Sequence, residues 1–223
     1  MTPPEAHPFD SQVQGGHMMG FYNSMILPRL THVAMGAGLL TPYRERVIGA
    51  ATGKVLEIGV GSGLNLPLYG SQVQAITAID PSAPLLDLAR SRAEAAVVPV
   101  DLIEASAEDL PLETDAFDTV TVTWTLCSVT DPQRVLAELR RVLRPGGQLL
   151  FVEHGLSPDK GVRRMQDMIT PVWQRCAGNC HLNRPVADEL RQAGYKLERL
   201  DTGYAPGPRP MTYMYEGRAH PEG

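Results

Sequence analysis

The sequence lacks any long uninterrupted apolar run. Its most apolar early stretch, residues 18–40, is interrupted by Asn23, Pro28, Arg29 and His32. A bilayer-spanning helix needs about 20 predominantly apolar residues, so this stretch does not predict one. The first residues, MTPPEAHPFDSQ, also lack the basic start and apolar segment of a secretory signal. We therefore expect a cytoplasmic protein, for which peripheral contact with a membrane surface stays open.

The sequence is also short of cysteine and of positive charge. Its three cysteines, Cys127, Cys176 and Cys180, are an odd number, which fits a reducing compartment better than a disulfide framework. Twenty Lys and Arg residues stand against 25 Asp and Glu, giving a formal net charge of -5, whereas a nucleic-acid binder normally shows a basic surplus. We expect no nucleic-acid partner, and the sequence does not reveal an oligomeric state.

The length of 223 residues fits one domain preceded by a short tail. Residues 1–17 combine Pro, Gly and polar residues without periodicity, which predicts a flexible tail. A single domain is then expected over 18–223. Within it, residues 18–52 show a helical pattern broken by prolines and glycines, which predicts a helical cap of two or three short helices. The α/β core is expected over 53–223.

Strand-like apolar runs begin near residues 55, 73, 98, 117 and 148 and alternate with helical stretches. Such alternation predicts a parallel sheet with helices on both faces. The runs YKLERLDTG and MTYMYEGRA, joined by the Pro-rich turn APGPRP, predict a terminal antiparallel hairpin. The predicted fold class is therefore α/β, with a Rossmann-like, doubly wound, mostly parallel sheet, a C-terminal antiparallel hairpin and an N-terminal helical cap.

Three helices are predicted after the fourth strand. One begins at Asp131 and Pro132, which suit an N-cap and a first turn, and stops at 145–147, where the sequence reads PGG. Others cover 160–177 and 185–193. Within 160–177, the residues Met165, Met168, Ile169 and Trp173 recur at helical spacing, which more often indicates a core-facing side than a ligand site.

A glycine-rich loop after the first strand is the strongest motif. Gly59, Gly61 and Gly63 allow a close ligand approach and positive φ. Asp80 ends the next strand 21 residues after Gly59, where an acidic side chain can bind ribose hydroxyls. A pyrophosphate needs the N-terminus of a full helix, whereas the methionine end of S-adenosyl-L-methionine (SAM) presents an ammonium and a carboxylate. Glu57 supplies negative charge for that ammonium, so the loop favours SAM over NAD.

Three further segments accompany this loop: 105–109 after the third strand, 123–128 after the fourth, and 141–147 before the fifth. The combination resembles the class I SAM-dependent methyltransferases from Gly53 to about Gly155. The resemblance implies that Asp80 binds the ribose, that Ala107 and Glu108 lie beside the adenine, and that Thr125 and Cys127 contact the methionine portion. The expected cofactor-binding residues are Tyr22, Glu57, Gly59, Gly61, Gly63, Asp80, Ser82, Ala107, Glu108, Thr125, Cys127 and Ser128.

The flanks of the core bear on the methyl acceptor. TLCSV at 125–129, EH at 153–154, a Trp-bearing helix and C-x-L-x-R at 180–184 resemble the alkyl thiol methyltransferases. The cap, with Tyr22, and the tail are similar to quinone-ring and phospholipid-amine methyltransferases. These resemblances imply a small hydrophobic acceptor, with a thiol favoured and a phospholipid amine, quinol or phenol as the alternative. An NAD-type oxidoreductase and a silent SAM-binding module stay open as functions of another class.

Two histidines are candidate catalytic residues. His154 ends the fifth strand, where it either accepts a proton from the acceptor or bonds to a neighbouring helix. A thiol needs little help from a base, whereas a phenol or amine depends more on His154 or His181. Cys176, Cys180 and His181 fall short of the four ligands of a structural zinc site, so no metal is predicted. Cys127 is expected to pack beside SAM rather than to act as a nucleophile.

Overall fold

A computed structural model describes residues 32, 33, 35, 36 and 38–222 of the chain. The predicted tail over 1–17 and the first part of the predicted cap, 18–31, lie outside the described residues. The strands are β1 (Gly53–Ile58), β2 (Val73–Asp80), β3 (Val100–Glu104), β4 (Phe117–Thr123), β5 (Leu143–His154), β6 (Tyr195–Tyr204) and β7 (Tyr213–Pro221). The α-helices are α1 (Thr41–Ile48), α2 (Ala83–Glu94), α3 (Pro132–Val142), α4 (Lys160–Cys176) and α5 (Val186–Gln192). Short 3₁₀ helices cover Gly38–Leu40, Leu66–Leu68 and Arg209–Met211.

The strands form one sheet in the order β3-β2-β1-β4-β5-β7-β6. Strands β1 to β5 pair in parallel, and β7 runs antiparallel to both β5 and β6. The predicted Rossmann-like sheet with a terminal antiparallel hairpin is therefore confirmed. Since the strand order reverses between β1 and β4, the crevice beyond their carboxyl ends is where a doubly wound sheet binds ligands.

Helices cover both faces of the sheet. On one face, Leu136 and Leu139 of α3 are fully buried in a cluster with Phe151 of β5. On the other face, Val47 and Ile48 of α1 pack against residues of β1 and β2. Burial on both faces explains why the central strands read as continuous apolar runs. Helix α1, which falls within the predicted cap, is therefore packed into the core.

Helix α3 begins as predicted but ends earlier than expected. The Asp131 carboxylate accepts a hydrogen bond of 3.0 Å from the Arg134 N–H, which caps the helix. The predicted end at 145–147 is wrong, because α3 stops at Val142 and Leu143 already pairs with Phe117 of β4. A proline disfavours helical backbone at the residue before it. Pro145 therefore disfavours a helical conformation at Arg144, ahead of the PGG sequence itself.

The apolar residues of α4 divide between the interior and the surface. Ile169 and Trp173 pack against a small cluster of Cys127, Cys180 and Leu182. Met168 is 73% exposed, so the predicted core-facing stripe is wrong for this residue and for the half-exposed Met165. No helix among the described residues has the length and apolar character needed to cross a membrane.

Candidate active site

A cavity of about 960 Å³ lies beyond the carboxyl ends of the parallel strands and extends to α4 and the β6–β7 connection. This volume is at the upper end of the range of about 300–1,000 Å³ for small-molecule sites, so the cavity has room for two ligands side by side. Ten of the predicted site residues line it. They are Gly59, Gly61, Asp80, Ser82, Ala107, Glu108, Thr125, Cys127, Ser128 and His154.

The glycines of the loop after β1 have different structural roles. Gly59 has a φ of +70°, and a Cβ there would overlap the Thr125 side chain. Gly61 has a φ of +55°, and a Cβ there would come no closer than 4.0 Å to the carbonyl oxygen of Gly59. A side chain at Gly61 would therefore enter the cavity itself. Gly63 does not line the cavity but gives close packing against Leu66 and Ala89.

Asp80 is fixed at the end of β2 by two backbone groups. Its Oδ2 accepts a hydrogen bond of 2.9 Å from the Gly61 N–H, and its Oδ1 accepts one of 2.9 Å from the Ser82 N–H. Burial raises the pKa of Asp80, and these two bonds oppose that rise. Each carboxylate oxygen keeps a second lone pair for a hydroxyl donor from the cavity. The arrangement fits ribose binding, which stays a prediction.

Glu57 lies behind the loop rather than in the cavity. Its Oε1 accepts a hydrogen bond of 2.7 Å from Asn65 Nδ2, and its Oε2 accepts one of 3.0 Å from the Tyr69 hydroxyl. Burial raises the pKa of Glu57 to about 7, against these two bonds. Asn65 does line the cavity. Glu57 itself is not part of the cavity lining, and its predicted role as negative charge near an ammonium stays a prediction.

Arg44 of α1 is a site residue that sequence reasoning missed. Its Nη1 donates a hydrogen bond of 2.7 Å to Asn65 Oδ1, and its guanidinium lies 4.7 Å from the ring centre of Trp124. Burial lowers the pKa of Arg44 to about 10, which leaves it charged at neutral pH. Arg44 lines the cavity and offers a cation to a carboxylate. Nothing in the sequence separates it from the chain's other arginines.

Glu153 organises the loop after β4. The Glu153 carboxylate is fully buried and accepts backbone hydrogen bonds of 2.7 Å from Thr125, 2.9 Å from Leu126 and 3.3 Å from Cys127. Burial raises the pKa of Glu153, and these bonds oppose the rise. In the EH motif, the glutamate thus shapes the cavity wall while the adjacent His154 lines it.

Glu108 is partly engaged by its own surroundings. Its Oε1 accepts hydrogen bonds of 2.9 Å from the Thr130 N–H and 3.0 Å from the Asp131 N–H. Together with Ala107 it forms the cavity wall that follows β3. The predicted position beside an adenine is compatible with this placement and stays a prediction.

His154 contacts a thiol rather than a helix backbone. Its Nε2 lies 3.0 Å from Cys180 Sγ, and Trp173 Nε1–H donates to the same sulfur at 3.3 Å. Burial lowers the pKa of His154, but the contact with Cys180 and the charge of Glu153 outweigh that effect and raise it. The buried Nδ1 has no hydrogen-bond partner among the described residues. A role of His154 in catalysis stays a prediction.

The predicted catalytic residue His181 has a different position. Its ring is not part of the cavity lining, and its Nδ1 lies 3.3 Å from Arg184 Nη2. Its backbone N–H donates a bond of 2.7 Å to the Cys127 carbonyl. The backbone of His181 therefore joins two loops, the structure does not bring its ring to the cavity, and a catalytic role of His181 stays a prediction. Tyr22, the remaining predicted residue, lies outside the described part of the chain.

Residues 56–151 match the family described as "Methyltransferase domain". The chain is 41% identical over 116 residues to "Phosphatidylethanolamine N-methyltransferase" of Cereibacter sphaeroides, covering 51% of this chain and 56% of that protein. It is 36% identical over 157 residues to "Thiol S-methyltransferase TMT1B" of Homo sapiens, covering 68% of this chain and 64% of that protein. The chain thus spans less than two thirds of the length of either relative.

The fold has counterparts among solved structures. One is a SAM-dependent methyltransferase from Aquifex aeolicus, which matches with a TM-score of 0.62 and 19% sequence identity. The match covers 86% of this chain and 97% of that protein. At this identity, the similarity supports the arrangement of strands and helices around the cavity.

Proposed function

We propose that this chain, which carries a class I SAM-dependent methyltransferase domain, transfers a methyl group from SAM to a small hydrophobic nucleophile, with a thiol as the favoured acceptor. The cofactor follows from the family match over residues 56–151. The family match does not identify the methyl acceptor, which is what we propose here. The observation that carries this step is the chemistry of the cavity beyond β5, where sulfur, imidazole and apolar side chains meet.

The part of the cavity between Gly61 and Asp80 suits the cofactor. A side chain at Gly61 would fill space that a ligand needs, and Asp80 offers two oriented acceptors beside it. Arg44 and Asn65 supply a cation and an amide for the amino acid end. Bound SAM would provide an electrophilic methyl group on a sulfonium.

The acceptor end lies between α4 and the β6–β7 connection. Its lining includes Trp173, Ala205, Pro206, Met211 and Met214. Among the described residues of the lining, the carboxylates are Asp80, which ends β2, and Glu108, which follows β3, and both lie on the cofactor side. An amine is an ammonium ion at neutral pH, so it would have to lose its hydration here, and its proton before it reacts, without a carboxylate beside it, at a large energetic cost. A neutral apolar acceptor faces no such cost.

A thiol suits this end better than the other apolar acceptors. Sulfur is an intrinsically strong nucleophile, and a thiol as acidic as the cysteine side chain, with a pKa near 8.5, is partly thiolate at neutral pH, so methyl transfer to it needs little base assistance. A phenol has a pKa near 10 and depends more on a base, yet His154 Nε2 already faces Cys180. The residues then act by orienting the acceptor and excluding water, which are effective contributions to an in-line displacement.

The phospholipid amine is the second candidate. It is supported by the 41% identity to "Phosphatidylethanolamine N-methyltransferase", although that match covers 51% of this chain. The alignment with the thiol S-methyltransferase reaches 68% of the chain, and the absence of an acidic group at the described acceptor end favours the thiol.

A matched pair of acceptors tests the proposal. Initial rates of methyl transfer are measured for an alkyl thiol and for the primary amine of the same chain length. We expect the thiol to react at least ten times faster, and we expect Gly61→Val to abolish both reactions. A faster amine would overturn the thiol assignment. If the wild-type protein binds SAM but methylates neither acceptor, the result would favour a silent SAM-binding module.

A further inference from the structure

Three metal-ligating side chains meet in the wall of the acceptor end. Cys127 follows β4, His154 ends β5, and Cys180 lies between α4 and α5. Their ligand atoms all lie within 4.8 Å of one another, and all three residues line the cavity. This group differs from the Cys176, Cys180 and His181 set considered from the sequence. We propose that Cys127, His154 and Cys180 form a zinc site with one coordination position open to the cavity.

The spacing fits zinc after a small adjustment. Zn–S and Zn–N bonds of about 2.3 and 2.0–2.1 Å in a tetrahedron place two sulfurs about 3.8 Å apart and a sulfur and a nitrogen about 3.6 Å apart. The observed distance from His154 Nε2 to Cys180 Sγ is 3.0 Å, so the pair would open by about 0.6 Å.

In the metal-free protein the sulfurs are thiols, because Cys127 Sγ donates to the Trp124 carbonyl at 3.5 Å, and a hydrogen bond with Cys127 together with burial raises the pKa of Cys180. Neighbouring N–H and O–H groups are placed to donate to the sulfurs once a metal displaces their protons. Trp173 Nε1–H donates to Cys180 Sγ at 3.3 Å, and the Ser128 hydroxyl lies 3.5 Å from Cys127 Sγ. Hydrogen bonds of this kind to ligand atoms orient them and tune the metal. With both thiols deprotonated and His154 neutral, the bound Zn²⁺ would be charge-balanced, and its binding would release two protons to solvent.

Hydrogen bonds from backbone and side-chain groups hold the two cysteine loops together. The His181 N–H donates to the Cys127 carbonyl at 2.7 Å, and Asn179 Nδ2 donates to the Ser128 carbonyl at 2.9 Å. Arg184 adds bonds from its guanidinium to the carbonyls of Cys127 and Val129. The site is therefore pre-assembled across two loops that are far apart in the sequence.

Three protein ligands and one open position are the pattern of a catalytic rather than a structural zinc site. This consequence rests on the proposed function: an acceptor thiol would bind at the open position as a thiolate, and its proton would pass to solvent. The sulfur lone pair would then form the new S–C bond as the methyl–sulfonium bond breaks. The products are the methyl thioether, S-adenosylhomocysteine and one proton.

Cobalt titration of the metal-free, reduced protein tests the site without reference to activity. We expect one Co²⁺ per chain, with sulfur-to-cobalt charge-transfer absorption and the intense visible bands of tetrahedral coordination. Cys127→Ser, Cys180→Ser and His154→Gln should each weaken binding by about 10²-fold or more, and Trp173→Phe by about 10- to 100-fold. Cys176→Ser is the matched control, because Cys176 is exposed at the end of α4.

The proposed site would be refuted if the wild-type protein showed no sulfur-to-cobalt absorption, or if Cys176→Ser removed that absorption. If the variants fail to fold, protection by Zn²⁺ against alkylation in the wild-type protein identifies the ligands. Protection of Cys127 and Cys180 but not Cys176 supports the site, and equal alkylation rates with and without zinc refute it. Cobalt binding without thiol turnover would reject the proposed function alone, whereas chelator-resistant turnover of a metal-free protein would reject the part of the metal in methyl transfer and leave the proposed function standing.

Discussion

Comparing substitutions at Gly61 and Gly146 distinguishes an effect on cofactor affinity from an effect on the stability of the fold. Gly61 and Gly146 both have positive φ, of +55° and +80°, and a Cβ at either position meets nothing closer than 4.0 Å. A left-handed backbone costs an L-residue about 1–2 kcal/mol, so alanine should lower the free energy of unfolding by about that amount at both positions. Only Gly61 lines the cavity.

We therefore expect Gly61→Ala to weaken the affinity for S-adenosylhomocysteine at least tenfold, or by about 1.4 kcal/mol, while Gly146→Ala leaves it unchanged. Gly61→Val should abolish measurable binding, because its two additional methyl groups extend further into the cavity. Calorimetry gives the affinities and urea unfolding gives the stabilities. A folded Gly61→Val protein that binds within twofold of the wild type, or an equal loss in Gly146→Ala, would refute the reasoning.

Three more predictions follow from buried carboxylates. Asp80→Ala should weaken SAM binding about tenfold or more, since a hydrogen bond to a charged group contributes about 1.5–3 kcal/mol, and unchanged calorimetric affinity would reject ribose binding. The pKa of Glu57 is raised from 4.5 to about 7, so its ionisation destabilises the fold progressively as pH rises through that window. In urea unfolding, the stability of Glu57→Gln relative to the wild type should rise by about 2–3 kcal/mol from pH 5 to pH 8, and a constant difference would contradict the raised pKa. Glu153→Gln should lower the free energy of unfolding by about 1–3 kcal/mol by misplacing the loop after β4, and an unchanged urea midpoint would argue against that role.

The cofactor side of the cavity was largely predictable because its signals are local. Gly59 and Gly61 follow β1 and Asp80 ends the neighbouring parallel strand β2, and parallel topology brings such ends together at one edge. The direction of the Glu57 side chain was not predictable, since β1 is buried on both faces and its pattern does not distinguish them.

The acceptor side depends on contacts between distant segments. Cys127 and Cys180 are 53 positions apart in the sequence, and their proximity depends on the bonds from His181 and Arg184 to the loop after β4. Helical spacing likewise could not show that Met168 faces outward. Periodicity shows that apolar residues share one side of a helix, but not whether another part of the protein packs against that side. The single-domain organisation and the cytoplasmic location stay predictions.

We expect the methyl group of SAM to pass to a thiol at the end of the cavity that His154 and Trp173 line. The most direct test is a competition in one reaction, with trideuteromethyl SAM, an alkyl thiol, a quinol and vesicles containing phosphatidylethanolamine. Mass spectrometry then measures which acceptor gains the label. We predict that the deuterated thioether is the dominant product, and a label found mainly on the lipid amine or the quinol would contradict the claim.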